Sequence, residues 1–256
     1  LTLASDTAEL TQDEFLDGLL KIWQPRHGYR AGIDPVLLAA AVPAKAGQHV
    51  LEIGCGAGVA ALCLVRRIPG VQVTGVELQA GYADLARRNA QENQIDLAVQ
   101  TADIADLPLE LRQQSFDHVM ANPPYFNRNR GSVAADAGRE TGRGETTDLA
   151  VWVDGARKRL RPGGWATFIQ RAERLPELSG LMASGFGDIR ILPIAPRISR
   201  AARLVIVQGR KNARGHARLL SPFVLHSGAE HLDDADDYSP QARSILRHAG
   251  ELCLSD

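Results

Sequence analysis

A short apolar strand, a glycine-rich turn and a helix follow one another between residues 49 and 67. His49-Val50-Leu51-Glu52-Ile53 reads as a buried strand, Gly54-Cys55-Gly56-Ala57-Gly58 as the turn, and Val59 to Arg67 as an Ala/Leu-rich helix. That order commits the chain to an α/β sheet of the doubly wound kind, in which the glycines let a ligand approach the backbone closely. The next strand, 71–76, ends in Glu77, which lies 77 − 54 = 23 positions past the first glycine, with Leu78 beside it. A carboxylate there can grip two ribose hydroxyls. Residues 97–101 read as a third strand. Asp103 at its end can accept from an adenine amino group with Ile104 against the ring face, or it can serve only as a turn residue. Cys55 reads as a small packing residue. A GxGxG loop alone is weak, and a dinucleotide-binding oxidoreductase would read similarly.

The second signal is chemical. The apolar run Phe116 to Ala121 stops at Asn122-Pro123-Pro124-Tyr125. Neither proline can donate a ladder hydrogen bond, and the first biases Asn122 away from helix. The result is a rigid corner that offers the Asn122 amide, the Pro123 carbonyl and the Tyr125 ring. Two acceptors can hold an amino group, and the ring can stack a flat substrate. The corner resembles the (N/D)PP(Y/F) motif of methyltransferases that act on planar nitrogen, either adenine N6 or a glutamine side-chain amide. Such a nitrogen is a poor nucleophile because its lone pair is delocalised. Hydrogen bonds from both N–H groups to Asn122 and Pro123 would favour a more pyramidal nitrogen in line with a methyl donor. The resemblance implies S-adenosylmethionine as cofactor and no metal, with Glu52 facing the methionine ammonium group and Asn122 next to the cofactor as well as the substrate.

Strand–helix units repeat along the chain: 48–53 with 57–67, 71–76 with 80–93, 97–101, and 116–121 into the proline corner. Helix 147–160 is expected to stop at Arg161-Pro162-Gly163-Gly164. Strand 165–170, helix 174–184 and strands 187–194 and 203–208 complete the sheet. This alternation resembles the class I methyltransferase fold, an α/β Rossmann-like seven-stranded sheet of order 3-2-1-4-5-7-6 with strand 7 antiparallel and helices on both faces. One domain is expected over 1–256, with a helical lead-in over 1–47 (helix near Glu14 to Trp23), a catalytic core over 48–211 and a polar tail over 212–256 with a helix at 239–249. Residues 126–146 read as a mobile loop over the site.

The segment His27-Gly28-Tyr29-Arg30-Ala31-Gly32-Ile33-Asp34, then Pro35-Val36-Leu37-Leu38-Ala39, narrows the family. It is similar to the lead-in of the bacterial TrmN family of tRNA (adenine-N6)-methyltransferases, and the likeness spans about residues 20–210. It implies that Arg30 and Asp34 help to close the cofactor pocket. Read without the resemblance, Asp34 is the cap of a helix over 34–42 with Pro35 at its first position, and Arg30 is a surface residue.

The net charge of −1 hides an asymmetry. Residues 1–156 hold 13 Lys/Arg against 20 Asp/Glu, residues 157–218 hold 14 against 3, and residues 219–256 hold 2 against 7. The middle stretch suggests a basic face for a polyanion, which the resemblance implies is tRNA. Arg128, Arg130, Arg197, Arg200 and Arg203 are the candidate RNA contacts. Arg210, Lys211, Arg214 and Arg218 extend the cluster, and Arg157-Lys158-Arg159 with Arg161 form a second one. Cys55, Cys63 and Cys253 show no metal-ligand spacing, and their odd count points to a reducing compartment. No apolar stretch reaches membrane-spanning length and no signal peptide is visible, so a cytoplasmic enzyme with no membrane partner is expected. The rival readings are a release-factor glutamine methyltransferase, a small-molecule methyltransferase and a non-catalytic RNA-binding protein that kept the fold.

Overall fold

The computed structural model describes residues 9–125, 147–228 and 237–255. Its centre is a mostly parallel sheet built from β3 (His49–Ile53), β4 (Gln72–Glu77), β5 (Ala98–Thr101), β6 (Phe116–Ala121), β7 (Leu160–Arg171), β8 (Phe186–Ala195) and β9 (Leu204–Lys211). Across the sheet the order is β5-β4-β3-β6-β7-β9-β8, and β9 runs antiparallel to both its neighbours. This is the order 3-2-1-4-5-7-6 with an antiparallel seventh strand. Two short strands, β10 (Arg218–Leu219) and β11 (Phe223–Val224), add to the outer side of β8, so among the described residues the sheet has nine strands where seven were expected.

Helices cover both faces because the strands are apolar on both faces, as parallel sheets require. On one face α1 (Asp34–Ala41), α2 (Val59–Arg67) and α7 (Pro240–His248) enclose a core that includes Leu37, Leu38, Leu62, Ile169 and Ile245. On the other, α5 (Leu149–Arg159) and α6 (Leu175–Ala183) pack Trp152, Ala156, Leu178 and Met182 against Val119, Phe168 and Val207. Each fully buried Leu or Phe contributes roughly 1.5–3 kcal/mol. Helix α3 (Ala80–Glu92) lies along β4 and β5, and the short α4 (Leu109–Gln113) precedes β6.

Three regions depart from the sequence expectation. The helix expected near Glu14 to Trp23 is replaced by an antiparallel hairpin of β1 (Leu10–Phe15) and β2 (Leu20–Pro25), while the lead-in helix expected from 34 is present as α1. Leu20 and Ile22 point inward and Lys21 outward, a period of two, and Leu16, Asp17 and Gly18 take positive φ at the turn. Two asparagines one turn apart, Asn89 on α3 and Asn93 at its C-cap, hold β2 as a neighbouring strand would. Asn93 Oδ1 accepts from the Lys21 N–H (2.9 Å) while its Nδ2 donates to the Lys21 carbonyl (2.8 Å). Asn89 does the same with Trp23 (2.8 and 3.0 Å) and also donates to the Ala57 carbonyl in the glycine loop (3.0 Å).

The second departure is at Pro162-Gly163-Gly164. Strand β7 starts directly at Leu160, and these residues form an irregular stretch where the pairing with β6 shifts. The third is the tail. Although polar on average, it buries Leu225, Ile245, Leu252 and Leu254 in the core, and the Leu252 N–H donates to the Ala40 carbonyl at 2.9 Å.

Candidate active site

Residues expected to act together arise from separate strands and meet at the carboxyl ends of β3, β4, β5 and β6, where ligands bind in such sheets. The glycine loop joins β3 to α2. Gly54, Gly56 and Gly58 all have positive φ. At Gly54 a Cβ would also stand 2.4 Å from the Trp152 ring on α5, so no larger residue fits. At Gly56 the nearest neighbour of such a Cβ would be the Tyr29 ring at 3.8 Å, which leaves an open approach to the backbone. Cys55 is buried, with its Sγ 2.7 Å from where a Gly75 side chain would begin, so it packs the loop onto β4.

Two carboxylates fix this loop. Glu77, at the end of β4, accepts from the Gly56 N–H (2.9 Å) and the Gln79 N–H (2.8 Å). Burial raises its pKa, and these N–H groups oppose the rise. An ionised carboxylate has about four acceptor sites, so Glu77 keeps capacity for a ligand hydroxyl. Glu52 is buried on β3 and accepts from the Ala61 N–H (2.9 Å), an otherwise unpaired donor in the first turn of α2. Leu78 is 46% exposed beside Glu77. Asp103 Oδ1 accepts from the Ala105 N–H at 2.8 Å and so shapes the turn after β5, while Ile104 packs toward Gly155 of α5.

The proline corner is held from three sides. Asn122 Nδ2 donates to Tyr29 Oη at 3.4 Å, while Asn122 Oδ1 is buried with no hydrogen-bond partner among the described residues. The Tyr125 hydroxyl donates to Asp34. Asp34 does not cap α1, as expected from sequence: Ile33 is the cap position, and Asp34 is the first helical residue. The Pro123 and Pro124 carbonyls are held from β7 and the turn that follows it. Gln170 Nε2 donates to Pro123 at 3.2 Å, and Arg174 Nη1 donates to Pro124 at 3.0 Å. The Arg171 guanidinium lies 5.1 Å from the centre of the Tyr125 ring, within cation–π range.

The residues 31–195 match the family model described as the methyltransferase small domain. The chain belongs to that family. A protein of Porphyromonas gingivalis (strain ATCC BAA-308 / W83) named tRNA1(Val) (adenine(37)-N6)-methyltransferase is 34% identical over 179 residues, covering 64% of this chain and 69% of that one. A release factor glutamine methyltransferase of Chlorobaculum tepidum is 25% identical over 177 residues, covering 64% and 59%. Among solved structures, a predicted O-methyltransferase from Agrobacterium tumefaciens superimposes with a TM-score of 0.70 at 23% identity, covering 86% of this chain and 98% of that one. That likeness shows the fold.

Within this methyltransferase, the structure redistributes several expected roles. Arg30 makes its contacts with the hairpin, donating to Thr11 and to the Pro25 carbonyl and pairing with Asp13 at 2.6 Å. Arg197 is paired with Asp237, which also contacts His226 at 2.5 Å. Arg200 and Arg203 lie in the β8–β9 connection, at the same end of the sheet as the proline corner. Arg128, Arg130 and the loop 126–146 lie outside the described residues.

The single basic face expected from the charge run is divided. Arg157, Lys158, Arg159, Arg161, Arg210, Lys211 and Arg214 sit at the amino ends of the parallel strands, opposite the site. The reason is that β7 and β9 each cross the whole sheet, so cations at their two ends are far apart in space.

Trp152, Gln170, Arg171 and Arg174 escaped the sequence reading, and Tyr29 entered it only as part of the lead-in motif, with no role. Only Gln170 carried a usable signal, a polar residue closing the otherwise apolar run 165–170. No helix among the described residues is long and apolar enough to cross a membrane.

Proposed function

We propose that this protein is a cytoplasmic S-adenosylmethionine-dependent methyltransferase that methylates N6 of an adenine in tRNA, the activity named for its relative from Porphyromonas gingivalis. The observation that carries the reading is the buried, unpartnered Asn122 Oδ1 beside the Pro123 carbonyl. Leaving such an acceptor unpaired costs about 1–3 kcal/mol, which an amino group donating into the corner would offset.

The chain's residues fit the cofactor. The glycine loop, open at Gly56, would give backbone access, Glu77 would offer lone pairs to the ribose, Asp103, Ile104 and Leu78 would hold the adenine, and Glu52 and Asp34 would serve the methionine end. When bound, S-adenosylmethionine would supply an electrophilic methyl group and leave as S-adenosylhomocysteine.

Asn122 and Pro123 accept the two N–H groups of the target nitrogen and direct its lone pair. Tyr125 stacks the splayed base, and Arg200 and Arg203 meet the RNA backbone at the rim. Gln170 and Arg174 fix the direction of the two proline carbonyls. Both act through the corner and are positioning residues.

A glutamine side-chain amide presents the same NH2 geometry, and the Chlorobaculum tepidum relative carries that name. The two readings separate in one experiment: labelled cofactor offered in parallel to unmodified tRNA and to purified release factor. The proposal expects label in RNA. Label in the protein alone would select the glutamine reading.

A further inference from the structure

The function described above does not use the cations at the far end of the sheet. There the end of α5, the start of β7 and the end of β9 converge. The Lys211 ammonium donates to the Leu160 carbonyl at 2.5 Å, Arg210 Nε donates to the Gly163 carbonyl at 3.0 Å, and Arg161 pairs with Asp117. Arg159 Nη1 reaches the Leu111 carbonyl at 3.0 Å, which ties α4 and the exposed Arg112 to the same surface. Arg157 lies against Gly185 at the start of β8, and Arg214 is exposed in the turn after β9.

The carboxylates paired within this group, Asp117 and Asp154, are outnumbered. Hydrogen bonds to carbonyls orient the other cations without neutralising them. The charge is dense enough that burial together with the Arg157 and Arg159 guanidiniums pushes the Lys211 pKa down. Like charges held together in this way favour a polyanion.

We infer that this surface, formed by Arg112, Arg157, Arg161, Arg210, Lys211 and Arg214, is a second RNA-binding site that grips the phosphate backbone of the substrate remote from the methylated base. The inference rests on the proposed RNA substrate and deepens it. Five steps along β7 (Leu160 to Trp165) match two along β6 (Phe116 to His118), so from Arg161 to Arg171 the ladder advances about seven residues, roughly 23 Å at ~3.3 Å per residue. An RNA that touches both ends of the sheet therefore needs an arm of about that length. A short stem–loop seated at the proline corner falls short of the second site, whereas an intact tRNA reaches it. The contacts are to phosphate, so they add affinity and register without choosing sequence.

The test uses the triple variant Arg112→Gln, Arg210→Gln, Arg214→Gln, all exposed positions away from the active site. Affinity is measured by fluorescence anisotropy across a potassium chloride series with two probes: transcribed valine tRNA and its isolated anticodon stem–loop. The expected result is about tenfold or greater loss for the full tRNA, and a salt slope reduced by roughly 2 to 3 if each site loses about 0.7–0.9. Stem–loop affinity should be unchanged. The corresponding Lys triple variant should restore both affinity and slope, which separates charge from any disturbance of the fold. Unchanged affinity for the full tRNA would overturn the inference, as would equal losses on both probes. Because binding is read without methyl transfer, absence of methylation would count against the proposed reaction and leave this test decisive.

Discussion

The phenol of Tyr125 donates to the carboxylate of Asp34, 91 positions earlier in the chain. Burial and then the Asp34 charge raise the Tyr125 pKa well above its ordinary value, so the hydroxyl stays a donor at neutral pH. The contact joins the proline corner to the first turn of α1. It anchors the ring just beyond the end of β6, at the end of the sheet where Asn122 and Glu77 also emerge.

Tyr125→Phe keeps the ring and removes the hydrogen bond, so its activity should fall by no more than about tenfold, consistent with roughly 1 kcal/mol for one bond. Tyr125→Ala removes the stacking platform and should cost more, about 1–3 kcal/mol in RNA KM beyond the Phe variant. Steady-state kinetics with saturating cofactor distinguish the two. Equal losses in the two variants would mean that the ring does not stack the base.

Gln170→Leu preserves volume in a fully buried position and deprives the Pro123 carbonyl of its donor. Turnover should fall by at least tenfold while cofactor affinity, measured by calorimetry, stays near wild type. A Gln170→Glu variant, which presents an acceptor to that carbonyl when ionised, should be worse. If both variants lose stability but keep kcat, Gln170 has only a packing role.

The core of the fold was legible in the sequence because its signals are local. The strands β3, β4 and β6 are short, largely buried runs ended by a glycine, an acid or an Asn-Pro pair, and Glu52, Glu77 and Asn122 emerge at or near those ends. The hairpin was misread because Leu16, Leu19, Leu20 and Ile22 satisfy a helical spacing as well as a strand one. What decides for strand is long-range: Asn89 on α3 and Asn93 at its C-cap accept from and donate to the Lys21 and Trp23 backbones. The roles of Gln170, Arg171 and Arg174 are also invisible locally, since they depend on β7 lying beside β6. The charge run misled for the opposite reason. Neighbours in sequence such as Arg203 and Arg210 are separated by the length of β9.

Glu77→Ala removes the acceptor for the Gly56 and Gln79 N–H groups as well as the expected ribose contact. Cofactor affinity should fall by more than tenfold, with a loss of about 1–3 kcal/mol in stability. Equilibrium dialysis and urea unfolding read the two effects separately. Unchanged cofactor binding would contradict the assignment.

Glu52 gives a pH signature. Burial raises its pKa well above the ordinary 4.5, the Ala61 N–H opposes this, and the Glu77 charge adds to it. A carboxyl raised on folding binds its proton more tightly in the folded chain. Its stabilising contribution is therefore fully present below the unfolded value and is lost as pH rises through the folded value. Glu52→Gln should raise Tm relative to wild type at neutral and alkaline pH, with the gain shrinking toward pH 4.5. A gain independent of pH would show that Glu52 is not the titrating group. The same variant should weaken cofactor binding.

The central claim is that the Asn122–Pro123 corner methylates N6 of adenine in RNA. The most direct measurement incubates wild-type protein and Asn122→Ala with isotope-labelled S-adenosylmethionine and bulk unmodified tRNA, then analyses the digested nucleosides by mass spectrometry. The account predicts label in N6-methyladenosine for wild type. It predicts a rate lower by roughly 10²–10³-fold for Asn122→Ala, the loss typical of one preorganised polar group at the reacting centre. Label in another nucleoside, or in none while the cofactor still binds, would contradict it.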